Sequence, residues 1–266
     1  MNTTEEIKKA VKESYTKIAV AEKEEESCCS PGCCSDSSTS TVVDMDYSKL
    51  KGYNPDADLN LGCGLPTEFA KIKEGDTVVD LGSGAGNDVF IARAITGDKG
   101  KVIGIDFTEA MIEKARKNNN KLGYNNVEFR YGDIENLPVE DNIADVIISN
   151  CVLNLVPDKK KAFGELYRAM KPGGHFSVSD IVVNGELPEK ILKAAAMYAG
   201  CISGAISQEE YLQVIKEAGF KNVRVQKSTP YTVHDSVILD YITVDELKQY
   251  RASGTKIVSI NVYAEK

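Results

Sequence analysis

The seven cysteines of this chain fall into two sets that differ in spacing. Four lie within the run SCCSPGCCS, from Ser27 to Ser35, and the other three stand singly at Cys63, Cys151 and Cys201. Clustered thiols can form a disulfide framework, bind a metal or metalloid, or take part in redox exchange. A disulfide scaffold is the least favoured of these, because 266 residues with 42% hydrophobic content can build one sizeable core.

Charge and hydropathy exclude several classes of protein. The net charge of -8 argues against a nucleic-acid or anionic-membrane surface, since both need a basic patch. No apolar run approaches the roughly 20 residues that span a bilayer, and the segment before Ser27 lacks the apolar core of a secretory signal. We therefore expect a cytoplasmic protein with reduced cysteines and with no nucleic-acid or membrane partner.

A glycine-rich loop is the second feature that could support chemistry. In the run VVDLGSGAGND, an apolar strand leads into Gly82, Gly84 and Gly86, and a helix is predicted to follow. Glycines let the backbone turn tightly and approach a ligand, and the helix N-terminus offers unpaired N–H donors. Beyond this loop the run KVIGID ends at Asp106, whose carboxylate could accept hydrogen bonds from a ribose diol.

Two details distinguish this loop from dinucleotide-binding loops. The third fingerprint glycine is missing, because the position three residues after Gly84 is Asn87. An acid, Asp80, precedes the loop and would repel a pyrophosphate, whereas a ligand that carries an ammonium and a sulfonium would tolerate it. A nicotinamide-dependent oxidoreductase is therefore disfavoured, and an ordinary α/β turn remains the alternative for the loop taken alone.

The elements that must position these residues alternate between strands and helices. After Lys71, β-rich runs such as TVVDL, KVIGID and ADVIIS alternate with helical patterns such as EAMIEKARKNNNKLG. This alternation predicts an α/β fold with a parallel sheet covered by helices on both faces. A helix over Gln208–Ala218 and two late strands, VRVQ and KIVSINVYAEK, are predicted beyond an interrupting segment.

The N-terminal part of the chain follows a different pattern. Apolar residues recur at spacings of three and four along a charged helix that should dock on another surface: Ile7, Val11, Tyr15 and Ile18. Large apolar side chains are almost absent from 22–46, so we expect a flexible Cys-rich arm there. We expect the helix and arm to occupy 1–50 and a catalytic domain to occupy 51–266, with a substrate-binding insertion at about 186–206.

Several ordered motifs resemble those of class I S-adenosylmethionine-dependent methyltransferases. They are DLGSGAG, the acid-ended strand GID, GDIENLP, ADVIISN and KPGG, and the match covers about Tyr53 to Lys266. The resemblance implies a Rossmann-like seven-stranded sheet and S-adenosylmethionine as cofactor, with its ribose against Asp106 and its adenine beside Asp133 and Ile134. The implied cofactor-binding residues are Asp80, Gly82, Ser83, Gly84, Gly86, Asp106, Phe107, Asp133, Ile134 and Asn150.

The single cysteines lie in segments that could surround the methyl group of such a cofactor. Cys151 directly follows a predicted strand, Cys201 lies in the interrupting segment, and Cys63 has a glycine on each side. Each alone could be an ordinary buried residue, because free cysteine packs as a small hydrophobe. Three thiolates together would suit a trigonal trivalent arsenic centre, whose lone pair could face the sulfonium methyl group. Catalysis would then depend on orientation and exclusion of water.

Other segments resemble the arsenite methyltransferase family: YNPDADLNLGCGLP, ISNCVLNLVPDKKKAF, MYAGCISGAIS and the Cys-rich arm. The resemblance implies that Cys151 and Cys201 bind trivalent arsenic and that Cys63 completes or relays the thiolate set. A cysteine of the arm would assist disulfide exchange, and we prefer Cys34 or Cys33 because they are nearest to the domain in sequence. The implied partners are arsenite or its thiol conjugates and a glutathione-type or thioredoxin-type reductant. The longer C-terminal extension of such relatives is expected to be absent.

Three alternatives remain open on the sequence. A methyltransferase acting on carbon or oxygen of a small organic molecule would need none of the cysteines. A metalloid-binding protein would sequester arsenic without turnover, and the arm could scavenge metal without a part in catalysis. His175 and His234 are expected to be structural or surface residues, and no H-E-x-x-H or nucleophile-elbow motif is present.

Overall fold

The computed structural model describes residues 4–21, 41–42, 46–193 and 204–266 of the chain. These residues form a seven-stranded sheet with helices on both faces and a separate two-stranded ribbon. The predicted flexible arm falls largely on 22–40 and 43–45, which lie outside the described residues. Cys33, Cys34 and Cys201 lie outside them as well.

The strands of the seven-stranded sheet are those that the sequence predicts. In chain order the strands are β1 (Thr41–Val42), β2 (Thr77–Leu81), β3 (Lys101–Asp106), β4 (Val127–Tyr131), β5 (Ala144–Asn150), β6 (Met170–Asn184), β7 (Lys221–Pro230), β8 (Thr232–Val233) and β9 (Lys256–Glu265). The order of strands in the sheet is β4–β3–β2–β5–β6–β9–β7. The first five strands in this order are parallel to one another.

Strand β9 is one of the two late strands, for which the sequence predicted no direction. It pairs antiparallel with both β6 and β7, so these two strands run in the same direction with β9 inserted between them. The reason lies in the connections, because β6 and β7 are joined by a helical crossover while β9 returns from the opposite end of the sheet. The seven-stranded Rossmann-like sheet with helices on both faces is thus confirmed, and the strands of its alternating part, β2 to β6, are parallel as predicted.

The helices cover both faces of this sheet. In chain order they are α1 (Thr4–Val20), α2 (Pro66–Phe69), α3 (Asn87–Thr96), α4 (Glu109–Leu122), α5 (Lys159–Ala169), α6 (Glu189–Lys193), α7 (Gln208–Glu217), α8 (Asp235–Leu239) and α9 (Val244–Ala252). The sequence reasoning missed α8 and α9, which are too short to show a sustained apolar period. In the part of the chain that the structure describes, the helices are too short or too polar to span a lipid bilayer.

Alternating strand residues supply two separate cores. Val78 and Val102 belong to an apolar cluster that also contains buried residues of α3 and α4. The next residues, Val79 and Ile103, belong to a second cluster that contains buried residues of α5 and α7. Because successive side chains of a strand point to opposite faces, this division shows a sheet buried on both sides.

A third apolar cluster lies beyond the carboxyl end of β5, and we call it the thiol cluster. Its members include Val11, Cys63, Cys151, Ile238, Leu247 and Tyr250. Helices α1, α8 and α9 therefore contribute side chains to the same cluster as the two described single cysteines, together with residues of β6 and β9. The fold thus encloses the thiols in a small apolar core of their own.

Candidate active site

The loop from β2 to α3 has a conformation that only its glycines adopt readily. Three of its residues have positive φ angles: Gly82 at 69°, Gly84 at 50° and Gly86 at 101°. A Cβ atom on Gly82 would also overlap the side chain of Val152. The N–H groups of Gly82 and Ser83 donate to the Ile105 carbonyl, which ties the loop to β3. The loop is therefore a fixed turn at the edge of the sheet.

Asp106 ends β3 directly beside this loop. Its carboxylate accepts hydrogen bonds from the N–H of Gly84 at 3.0 Å and from the N–H of Thr108 at 2.8 Å. Burial raises the pKa of Asp106, and the two backbone donors oppose that rise. Asp106 also lines the cleft described next, where it can accept hydrogen bonds from a ribose diol.

A cleft lies over the glycine loop, and residues of that loop, of the end of β3 and of the turn after β5 line it. Three buried carboxylates line it: Asp80, Asp88 and Asp106. Burial, followed by repulsion from the other two acids, raises the pKa of Asp80 well above its ordinary value. Burial likewise raises the pKa of Asp88 to about 6. A positively charged ligand would relieve this repulsion.

Polar and apolar groups of the cleft fit the other parts of S-adenosylmethionine. Three buried polar atoms that line it have no hydrogen-bond partner among the described residues: Ser83 Oγ, Asp88 Oδ1 and Thr108 Oγ1. Buried polar atoms without a protein partner usually bond to water or to a ligand. Phe107 and Ile134 add apolar surface that suits a planar base. The cleft therefore offers suitable groups for the amino-acid, ribose and adenine parts of S-adenosylmethionine.

Helix α1 closes one side of the cleft. Val11 and Tyr15 line the cleft, and the helix also packs against α4. The apolar stripe predicted for this helix thus docks on the candidate cofactor site. Sequence reasoning left that docking surface unspecified.

Two ion pairs of Lys8 hold α1 in this position. Lys8 Nζ lies 2.6 Å from Asp133 Oδ2 and 2.5 Å from Glu135 Oε2. Asp133 borders an apolar recess next to the main cleft, whereas its neighbour Ile134 lines both. The predicted adenine contact of Asp133 thus stays a prediction, and the structure adds a contact with α1.

Cys63 and Cys151 lie together in the thiol cluster, with 1% and 4% of their surfaces exposed. Cys151 also lines the cofactor cleft, so the cluster and the cleft adjoin. Its φ of 61° is uncommon for a residue other than glycine, and its N–H donates to the Ser179 carbonyl at 2.7 Å. This turn follows the end of β5 and is hydrogen-bonded to the neighbouring strand β6.

Cys201 and Cys34 lie outside the described residues, so the roles predicted for them stay predictions. Within the described ranges, no group of three His, Cys, Asp or Glu side chains is arranged to hold a metal ion. His175 Nε2 is 2.6 Å from the Ala70 carbonyl, and His234 contacts Ser236. Neither histidine lines the cleft.

Sequence reasoning missed several residues of the cleft, and two of them form a polar contact with each other. Asp88 follows the glycine loop and Tyr47 precedes the sheet, and the Tyr47 hydroxyl lies 3.2 Å from Asp88 Oδ2. Asp88 stood in the quoted run VVDLGSGAGND and could have been found as a second acid after the loop. Tyr47 carried no signal, because it lies in a short segment without periodicity. Asn150 was predicted, and it lines the cleft while its side chain contacts the Cys63 loop.

Comparison with known proteins agrees with this architecture. The profile of a family described as a methyltransferase domain matches residues 72–219, more than half of the chain. An arsenite methyltransferase from Halobacterium salinarum is 38% identical, and the match covers 94% of this chain and 66% of that protein. The arsenite methyltransferase of Homo sapiens is 35% identical over 65% of this chain and 48% of its own length.

A solved structure gives a similar result. The X-ray crystal structure of an arsenic(III) S-adenosylmethionine methyltransferase from Chlamydomonas reinhardtii has a TM-score of 0.66 at 33% identity. The match covers 77% of this chain and 67% of that one, and this chain spans 66% or less of the curated relatives above. The glycine loop, the acid-ended β3 and the matched domain lead to one conclusion: the chain belongs to the methyltransferase-domain family of class I enzymes that use S-adenosylmethionine.

Proposed function

We propose that this chain methylates trivalent arsenic that is bound by cysteine thiolates. The observation that carries the proposal is the position of two buried thiols, Cys63 and Cys151, in one apolar cluster that adjoins the cofactor cleft. Thiolates select thiophilic ions, and trivalent arsenic is one of them. The names of the relatives, arsenite methyltransferase, support the same substrate.

Different residues of the cleft would bind different parts of S-adenosylmethionine. Asp80 and Asp88 would face the ammonium and sulfonium, Asp106 the ribose hydroxyls, and Phe107 with Ile134 the adenine. When bound, S-adenosylmethionine supplies an electrophilic methyl group that a lone pair can accept. Asp80 and Asp88 would become more acidic on binding, because a nearby positive charge favours the carboxylate.

The thiols would bind arsenic by ligand exchange. Each thiol loses its proton to a hydroxide or thiolate that leaves arsenic, so arsenic–sulfur bonds replace arsenic–oxygen or arsenic–sulfur bonds. Cys201 would supply the third thiolate. The apolar members of the thiol cluster, such as Ile238 and Leu247, would keep water from the bound arsenic.

Repeated methylation of arsenic would need a reductant. Methylation of the lone pair formally oxidises arsenic by two electrons, and a pair of thiols can return them by forming a disulfide. We therefore include the arm cysteines, Cys34 first, and a glutathione-type or thioredoxin-type reductant. Such thiols stay reduced in the cytoplasm, where we place the reaction.

The test uses the purified full chain with arsenite, S-adenosylmethionine and a thiol reductant. Arsenic species are separated and detected by element, and we expect methylated arsenic over several turnovers. Cys151→Ser should abolish the product while S-adenosylmethionine still binds. Cys28→Ser is the matched control, because three other arm cysteines remain and the product should persist.

Two results would reject the proposal. Methylation that survives in Cys151→Ser would mean that the thiol does not hold the substrate. Absence of any methylated arsenic, with S-adenosylmethionine binding intact, would favour a small organic acceptor or a metalloid-binding protein without turnover.

A further inference from the structure

The side chain of Asn150 links the two segments that carry Cys63 and Cys151. Asn150 is the last residue of β5 and directly precedes Cys151. Its Oδ1 accepts a hydrogen bond from the Cys63 N–H at 3.0 Å, and its Nδ2 donates to the Gly64 carbonyl at 2.8 Å. The side chain of Asn150 therefore holds the backbone around Cys63, and its main chain continues directly into Cys151.

The glycines on both sides of Cys63 permit this close approach. A Cβ on Gly62 would lie 2.8 Å from Asn150 Nδ2, and a Cβ on Gly64 would overlap Ser179 Oγ. The carbonyl of Ser179 is also the acceptor for the Cys151 N–H. The Gly-Cys-Gly segment is thus packed against the end of β5 and the part of β6 beside it, next to the turn that presents Cys151.

Tyr47 and Asp88 fix the orientation of the Asn150 amide. Its Nδ2 lies 2.6 Å from the Tyr47 hydroxyl oxygen and 3.0 Å from Asp88 Oδ2. The ionised Asp88 carboxylate and the Gly64 carbonyl can only accept hydrogen bonds, so the amide nitrogen of Asn150 must face them. The amide oxygen, Oδ1, then faces the Cys63 N–H. A flipped amide would leave buried polar groups unpaired, which is costly.

We propose that Asn150 is a positioning residue that holds Cys63 near Cys151 and so prepares both thiols for one thiophilic substrate. The identity of that substrate rests on the proposed function, but the hydrogen bonds do not involve arsenic. Thiols that are already fixed lose less conformational freedom on binding than thiols on a mobile loop. The Asn150 amide therefore acts on the affinity for the thiophilic substrate.

The test compares Asn150→Ala with Ser149→Ala, the adjacent position on the same strand. Ser149 is buried and its hydroxyl donates to the Leu81 carbonyl at 3.2 Å, so its loss disturbs β5 on the side of β2. Cys63 alkylation by iodoacetamide is followed by peptide mass spectrometry, and arsenite and S-adenosylmethionine dissociation constants are measured by calorimetry.

Asn150→Ala should expose the thiol of Cys63. We expect alkylation about tenfold faster than in the parent and in Ser149→Ala, and an arsenite dissociation constant about tenfold higher, which matches the loss of one or two hydrogen bonds. Asn150 also lines the cofactor cleft, so the S-adenosylmethionine dissociation constant is measured separately, and a rise in it would not by itself account for faster alkylation of Cys63. Asn150→Asp is a second variant, which keeps the acceptor for Cys63 but faces Asp88 with another carboxylate, so it should also accelerate alkylation.

Three results would overturn this inference. They are unchanged Cys63 alkylation in both Asn150 variants, equal acceleration in Ser149→Ala, and a tenfold loss of S-adenosylmethionine affinity without faster alkylation. The alkylation measurement needs no arsenic, so its result is independent of whether the parent methylates arsenite. Faster alkylation of Cys63 in a chain that makes no methylated arsenic would reject the proposed function and retain the positioning role.

Discussion

Asp180 is a fully buried carboxyl on β6, and its replacement by Asn tests the energetics of this core. The Tyr211 hydroxyl donates to its Oδ2 at 2.9 Å, and the N–H of Ile181 donates to its Oδ1 at 3.1 Å. Burial raises the pKa of Asp180 from 3.8 to about 7, although the Tyr211 hydrogen bond and the charge of Lys159 lower it. The side chain is therefore partly protonated at neutral pH.

The size of the effect follows from this pKa. Between about pH 4 and pH 7 the folded chain holds a proton on Asp180 that the unfolded chain releases, so this group lowers stability as the pH rises. A pKa that is higher by about 3 in the folded state corresponds to about 4 kcal/mol above pH 7. An Asn at this position carries no charge and keeps an acceptor for the Tyr211 hydroxyl.

We expect Asp180→Asn to be more stable than the parent at pH 8, by about 2 to 4 kcal/mol in the free energy of unfolding. The difference should shrink as the pH falls to 4, because the folded chain keeps Asp180 protonated and the unfolded carboxyl, with its pKa of 3.8, is by then about half protonated. Urea titrations followed by circular dichroism, from pH 4 to pH 8.5, measure both quantities. The exposed Asp240→Asn is the control and should keep the pH dependence of the parent.

Two results would refute this reasoning. If the difference between Asp180→Asn and the parent does not depend on pH, Asp180 is not a carboxyl that folding keeps protonated. Lower stability of Asp180→Asn at pH 8 would lead to the same conclusion.

Three further predictions concern the cofactor cleft. Asp106→Ala should raise the S-adenosylmethionine dissociation constant about 10- to 100-fold in calorimetry, because the ribose acceptor and the Gly84 hydrogen bond are lost, and unchanged affinity would contradict the ribose assignment. Lys8→Ala should weaken the same binding about threefold to tenfold by releasing α1, and high salt should mimic it in the parent; equal affinities at all salt concentrations would exclude this role. Gly82→Ala should lower the melting temperature, because the new Cβ would overlap Val152 and the backbone keeps its positive φ. The double variant Gly82→Ala/Val152→Ala should regain only part of the lost melting temperature, since the positive φ remains. Full recovery of the melting temperature would leave steric overlap as the only cause.

Much of the cofactor site could be predicted because its signals are local. The glycines of the loop, the acid that ends β3 and the cysteine after β5 lie at strand ends, and parallel strands bring their carboxyl ends to one edge. The order of strands and helices therefore decided the fold class and the position of the cleft. The position of the antiparallel β9 between β6 and β7 was not predicted, because apolar periodicity carries no information on strand order.

The remaining features depend on contacts between residues that are distant in the sequence. Lys8 meets Asp133 across 125 positions, and Asn150 meets Cys63 across 87 positions. The sequence by itself determined the residue types, the strand–helix alternation and the glycines that permit close approach. Only the tertiary structure decided that α1 covers the cofactor cleft and that one amide joins the two thiol segments, because hydrogen bonds and ion pairs form wherever packing brings donors and acceptors together.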